Sequence, residues 1–83
     1  MRYIKDVPNQ EFKISIYQWN NKYIVKIEAG MYEQTYKIDE YDVSSVEDIE
    51  NCMDVLFMAK VSATFGMMQM DFSDTLNRNE VIF

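Results

Sequence analysis

The chain has 83 residues, 48% of them hydrophobic, with only two Gly and one Pro, so it reads as one small globular domain, 1–83, rather than a disordered segment. A core of this size is marginal and often leans on oligomerisation. The net charge of −6 argues for solubility and against non-specific nucleic-acid binding. The absence of His removes the commonest general base and the usual zinc ligand, and a single Cys excludes an internal disulfide. No apolar run is long enough to span a membrane, and the N-terminus lacks the apolar core of a signal peptide, which makes a reducing cytoplasm the expected setting.

The charge is unevenly placed. Residues 1–40 carry six basic and six acidic side chains and sum to zero. Residues 41–83 carry two basic residues, Lys60 and Arg78, against eight acids, which accounts for the whole net charge.

Arg2–Val7 reads either as an edge strand or, in preference, as a lead-in ending at Pro8. From Glu11 to Trp19 the chain alternates cleanly, with Phe12, Ile14 and Ile16 on one side and Lys13, Ser15, Tyr17 and Trp19 on the other. That period of two is the signature of a half-buried strand. Asn20-Asn21 tolerates the positive φ of a tight hairpin turn, and Tyr23–Ala29 alternates again. A two-residue turn sets Ile16 against Val25, Ile14 against Ile27, and Phe12 against Ala29. It also sets Lys13 against Glu28 and Tyr17 against Ile24. Apolar side chains then meet on one face and opposite charges on the other, and a slip of one residue would destroy both patterns.

A second turn falls near Gly30, and a third strand runs from about Tyr32 to Ile38, with Tyr36 opposite Val25 and Ile38 opposite Tyr23. That register also places Glu28 opposite Glu33, which is unfavourable and suggests a longer or bulged turn.

From Ser44 to about Phe72 the pattern is helical. Ser44 and Glu47 fit a capping box, and Glu47, Asp48 and Glu50 complement the helix dipole. Gly66 is the weak point, where the helix ends, kinks or tolerates the residue, because Gly costs about 1 kcal/mol relative to Ala in a helix interior. Asn77-Arg78-Asn79 looks like a terminator, and Val81–Phe83 is an apolar tail. The expected fold is therefore α+β, a three-stranded antiparallel meander packed against one long C-terminal helix in the order β-β-β-α.

That helix carries two apolar stripes. The first, Ile49, Cys52, Met53, Leu56, Ala59, Ala63 and Met67, contains small residues that let a helix lie close to a sheet, and it is assigned to the core. Cys52 is then a small buried hydrophobe. The second, Met58, Val61, Phe65, Met68 and Phe72, steps by three and four residues like a helix-pairing seam and is assigned to a partner, most simply a second copy of the chain. Its alternative cover is the Val81–Phe83 tail folding back.

The outer sheet face gathers Lys13, Lys22, Lys26 and Lys37 with Tyr17 and Trp19, the residue types of a single-strand nucleic-acid platform. A helix-backed meander in a dimer is similar in outline to the sheet-based single-strand binders of the Pur type, a likeness of topology that lacks a shared motif and the fourth strand of those repeats. The carboxylate groups, Asp39-Glu40-Tyr41-Asp42, Glu47/Glu50/Asp54 and Asp71/Asp74, lack the spacing of a calcium loop or a di-metal site and read as solvated charge. No catalytic, cofactor or metal site is expected. The expected function is a non-enzymatic interaction or structural module, self-associating through the second stripe; the alternative is a single-stranded nucleic-acid-binding module.

Overall fold

A computed structural model describes residues 1–81 and contains an antiparallel sheet of four strands, not three, in the order β1-β2-β3-β4. The strands are β1 (Arg2–Val7), β2 (Lys13–Trp19), β3 (Lys22–Ala29) and β4 (Tyr32–Asp39). A 3-10 turn at Glu40–Asp42 leads to two helices, α1 (Val46–Cys52) and α2 (Val55–Arg78).

The first hairpin has the expected register, with Ile16 opposite Val25, Ile14 opposite Ile27 and Lys13 opposite Glu28. Asn20 and Asn21 both take positive φ, 53° and 60°, as a tight turn compatible with strand twist requires. The second turn is equally tight, contrary to the expectation of a longer or bulged one. Gly30 supplies φ +61°, Ala29 pairs with Tyr32, and Glu28 does face Glu33. That carboxylate accepts the Thr35 hydroxyl at 2.9 Å, and the Ile27, Val25 and Tyr23 rows behind it hold the register.

Arg2–Val7, which gave no period-2 signal, is a full edge strand on β2. A bulge between Tyr3 and Lys5 breaks its alternation and hides the pattern. It places Val7 beside Ile14 and Lys5 beside Ile16, on the helix-bearing face. Lys5 Nζ donates to Glu50 Oε1 at 2.8 Å and ties β1 to α1. This hydrogen bond holds the Lys5 ammonium above its usual pKa. A folded value above the unfolded one means that the contribution is complete at neutral pH and is lost only as the pH rises through the raised value.

The helical half is not one helix. The first segment ends at Cys52 with Met53 as its C-cap, and Asp54 caps the second, its Oδ1 accepting the Phe57 amide at 2.8 Å. The N-cap of α1 is Ser45 rather than Ser44; the Ser44 amide instead donates to Asp48 Oδ2 at 3.0 Å. Gly66 does not end α2, which runs on to Arg78 and closes with Glu80 at φ 59° and the Val81 amide on the Leu76 carbonyl at 2.9 Å.

The core is Val7, Ile14, Ile16, Val25 and Ile27 from the sheet, Ile49 from α1, and Val61 and Phe65 from α2. Gln34, the buried polar residue of β4, donates through Nε2 to the Val61 carbonyl at 3.0 Å and accepts the Tyr36 hydroxyl at 2.5 Å. Both polar ends of its amide are thus satisfied where α2 crosses β4.

The molecule is elongated. Its radius of gyration is 15.1 Å and its extents are 47 × 28 × 18 Å, against about 12 Å for the radius of a compact chain of this length. A helix the length of α2 spans about 36 Å, whereas a strand the length of β4 covers about 27 Å, so α2 outruns the sheet it lies on.

Candidate functional site

The two stripes are exchanged relative to the sequence expectation. Val61 is 1% exposed and Phe65 7%, both within the protein's own core, while Met58 and Met68 pack half-buried against it. The Phe65 ring lies 5.3 Å from that of Phe12. Phe72 is the outermost member, 52% exposed with its ring set edge-on to Tyr32 at 6.4 Å. Met58, Val61, Phe65 and Met68 are therefore not a free partner seam, and Phe72 alone of the five stays exposed. Ile82 and Phe83, the far end of the tail proposed as alternative cover, lie outside the described residues.

The physical reason is the break at Asp54. Ile49 and Met53 do face the core, but the phase they set on α1 does not carry across a capped interruption into α2. On α2 the large side chains Phe57, Met58, Val61, Phe65 and Met68 turn inward, because burying them removes far more apolar area from water than burying Ala59 and Ala63.

What remains outside is the α2 part of the first stripe. Leu56 is 68% exposed and Met67 63%, with Ala59 and Ala63 exposed between them; Gly66 and Met70, the latter 66% exposed, lie outside that stripe but share its outward face. Residues 55–70 contain one charge, Lys60, so this outward face is almost wholly uncharged. Cys52, expected to be buried, is exposed at the elbow between the helices. The elbow frames an apolar crevice of about 250 Å³ lined by Val25, Tyr36, Ile38, Ile49, Met53 and Phe57. Lys37 and Cys52 also border it, and among the described residues no acid joins them there. Among the described residues no three Cys, Asp or Glu come together as metal ligands.

Gly66 sits on this outward face, and a Cβ built on it meets nothing within 4 Å. Its own fold thus gives no steric reason for Gly at that position. Gly66→Ala is expected to raise the monomer's unfolding free energy by about 1 kcal/mol in urea titrations at low protein concentration; a loss of stability there would contradict this open geometry.

The sheet brings all six residues of the other candidate surface onto one face. Lys13 and Tyr17 share it with Trp19 from β2, Lys22 and Lys26 from β3, and Lys37 from β4. Among the described residues no helix covers that face. Trp19 is 54% exposed and lines a shallow depression with Lys22, Ile24 and Lys37. The Lys26 ammonium lies 5.4 Å from the centre of the Tyr17 ring. Asp6, Glu28, Glu33 and Asp39 occupy the same face in register, so its four lysines are matched by four acids.

No family model matches the chain, and neither does any curated protein or any solved structure. The functional reading therefore rests on these two surfaces. No helix among the described residues is long and apolar enough to cross a membrane.

Proposed function

We propose that this chain is a non-enzymatic self-association module whose working surface is the outward face of α2, formed by Leu56, Ala59, Ala63, Met67 and Met70. The observation that carries the reading is surplus exposed area. The chain presents 6122 Å² to solvent, whereas a folded monomer of 9.9 kDa exposes about 5200 Å². The excess of roughly 900 Å² is close to the roughly 800 Å² that each partner buries in a standard stable interface. The uncharged stripe on the overhanging helix is where such a surplus is most costly to leave wet. A second copy is the simplest occupant, because a two-fold contact needs only one self-complementary patch.

The test is the molar mass of the wild-type protein by sedimentation equilibrium from about 1 µM to about 1 mM. A concentration-dependent rise to twice the monomer mass supports the reading. A monomer throughout that range refutes it.

A second reading, single-stranded nucleic-acid binding, is favoured by the exposed Trp19, which shares a depression with Lys22 and Lys37 on the outer sheet face. The fourth strand also brings the topology nearer to the Pur-type outline. Binding of a short labelled oligonucleotide would then be salt-dependent and fall about tenfold or more with Trp19→Ala. No anisotropy change at about 50 mM salt would dismiss it.

A further inference from the structure

We infer that the second copy lays its α2 antiparallel to the first, the helices crossing near Gly66, with Lys60 of each copy beside Asp71 and Asp74 of the other. The inference rests on the self-association reading of this face and adds the orientation and the contacts.

On a helix, Leu56, Ala63 and Met70 fall along one line seven residues apart, the centre of the exposed stripe. Ala59 and Gly66 run along one flank of that line. Lys60, Met67, Asp71 and Asp74 run along the other. When two such helices pair in parallel about a two-fold axis, each flank adjoins the opposite flank of the other copy, so Lys60, Asp71 and Asp74 face the side of Ala59 and Gly66 and meet no opposite charge. When they pair antiparallel, like flanks adjoin and residue levels are reversed about the crossing point. With the crossing near Gly66, Lys60 comes level with residues 71–74 of the other copy, on the flank that carries Asp71 and Asp74. The charge pattern therefore complements itself in the antiparallel orientation and finds no opposite partner in the parallel one. Opposed helix dipoles favour the same orientation.

The side-chain sizes fit this crossing. Gly66 has open space over its Cα, and Ala59 and Ala63 precede it on the exposed stripe. A run of small residues at the crossing lets two helices approach toward the short end of the usual 8–10 Å separation. Leu56 and Met70 then flank the close point as apolar ends. Within its own chain, among the described residues, the side-chain ion pair is Lys5 with Glu50, and Lys60, Asp71 and Asp74 are not engaged. The resulting assembly has four layers, sheet, helix, helix and sheet, with both outer sheet faces left open.

Two measurements on the full chain test the orientation. In a Cys52→Ala background, Lys60→Cys and Asp74→Cys proteins are mixed in equal amounts and oxidised with copper phenanthroline. The mixed disulfide is expected to dominate over either homotypic product, because a disulfide needs its two Cα atoms within about 7 Å. Separately, Lys60→Asp is expected to weaken dimerisation by about tenfold, and Lys60→Asp/Asp71→Lys/Asp74→Lys to restore it to within about threefold of wild type. If the wild type dimerises but the cysteines link homotypically, or the reversed charges fail to restore pairing, the antiparallel arrangement is overturned while self-association stands. A wild type that stays monomeric to about 1 mM removes both.

Discussion

Replacing Phe65 with Ala is expected to lower the unfolding free energy by about 3–5 kcal/mol, read as a shift of the urea midpoint at low protein concentration. The total stability of a domain this size is about 4–12 kcal/mol, so the variant would be strongly destabilised or largely unfolded. Phe65 projects from the middle of α2 against Phe12 and the core isoleucines, and its loss opens a cavity between helix and sheet. Were Phe65 part of a seam for a partner, as its spacing alone suggests, Phe65→Ala would weaken association and leave the midpoint of the dilute monomer near its wild-type value. A small shift would therefore contradict the packing described here. The low concentration matters because a dimer adds stability by mass action, and the two effects would otherwise mix.

Leu56→Asp is expected to do the reverse. Leu56 points away from the sheet and is largely solvent-exposed in the monomer, so the circular dichroism spectrum and the dilute-solution melting midpoint should hardly change. Association should weaken by about a hundredfold or more, because a carboxylate would have to lose its water in an apolar contact. The measurement is sedimentation equilibrium beside thermal melting at matched concentrations. A Leu56→Asp protein that dimerises like the wild type would move the interface elsewhere. One that unfolds would show that the outward face supports the monomer's own fold.

The two variants pull apart what the sequence left entangled. Both stripes have helical spacing and both are apolar, so periodicity identifies them but does not say which one meets the sheet. That choice turned on Asp54. In a linear reading Asp54 is one acid on a long amphipathic run. In the structure its carboxylate takes the Phe57 amide and restarts the helix in a new phase. An Asp directly ahead of a run of good helix formers is the N-cap signal that could have located the break. The small residues also misled: Ala59 and Ala63 suit close packing, but against a sheet the larger residues of the other stripe bury more area.

The sheet was more legible. Side chains alternate with period two, so an incorrect register would set charge against the core, and Asn20-Asn21 left one turn length compatible with every pair. The exception is β1, where a bulge at Tyr3–Lys5 erased the alternation and left a strand defined by its neighbour rather than by its own pattern. The outer-face cluster of Lys13, Tyr17, Trp19, Lys22, Lys26 and Lys37 could be read from register alone. What linear reading understated was the share of that face held by Asp6, Glu28, Glu33 and Asp39, since Asp6 and Asp39 reach it only through pairing of the outer strands.

By itself, then, the sequence determined the class of fold, the hairpin register, the position of the apolar residues and the existence of one surplus stripe. Those follow from local periodicity and turn chemistry, which act over a few residues. Only the tertiary structure decided that β1 joins the sheet, that the helix restarts at Asp54, and that Val61 and Phe65 go inward while Leu56, Ala63 and Met70 face out. Those outcomes depend on which arrangement buries the most apolar area against the sheet, a comparison between distant segments that no local pattern contains.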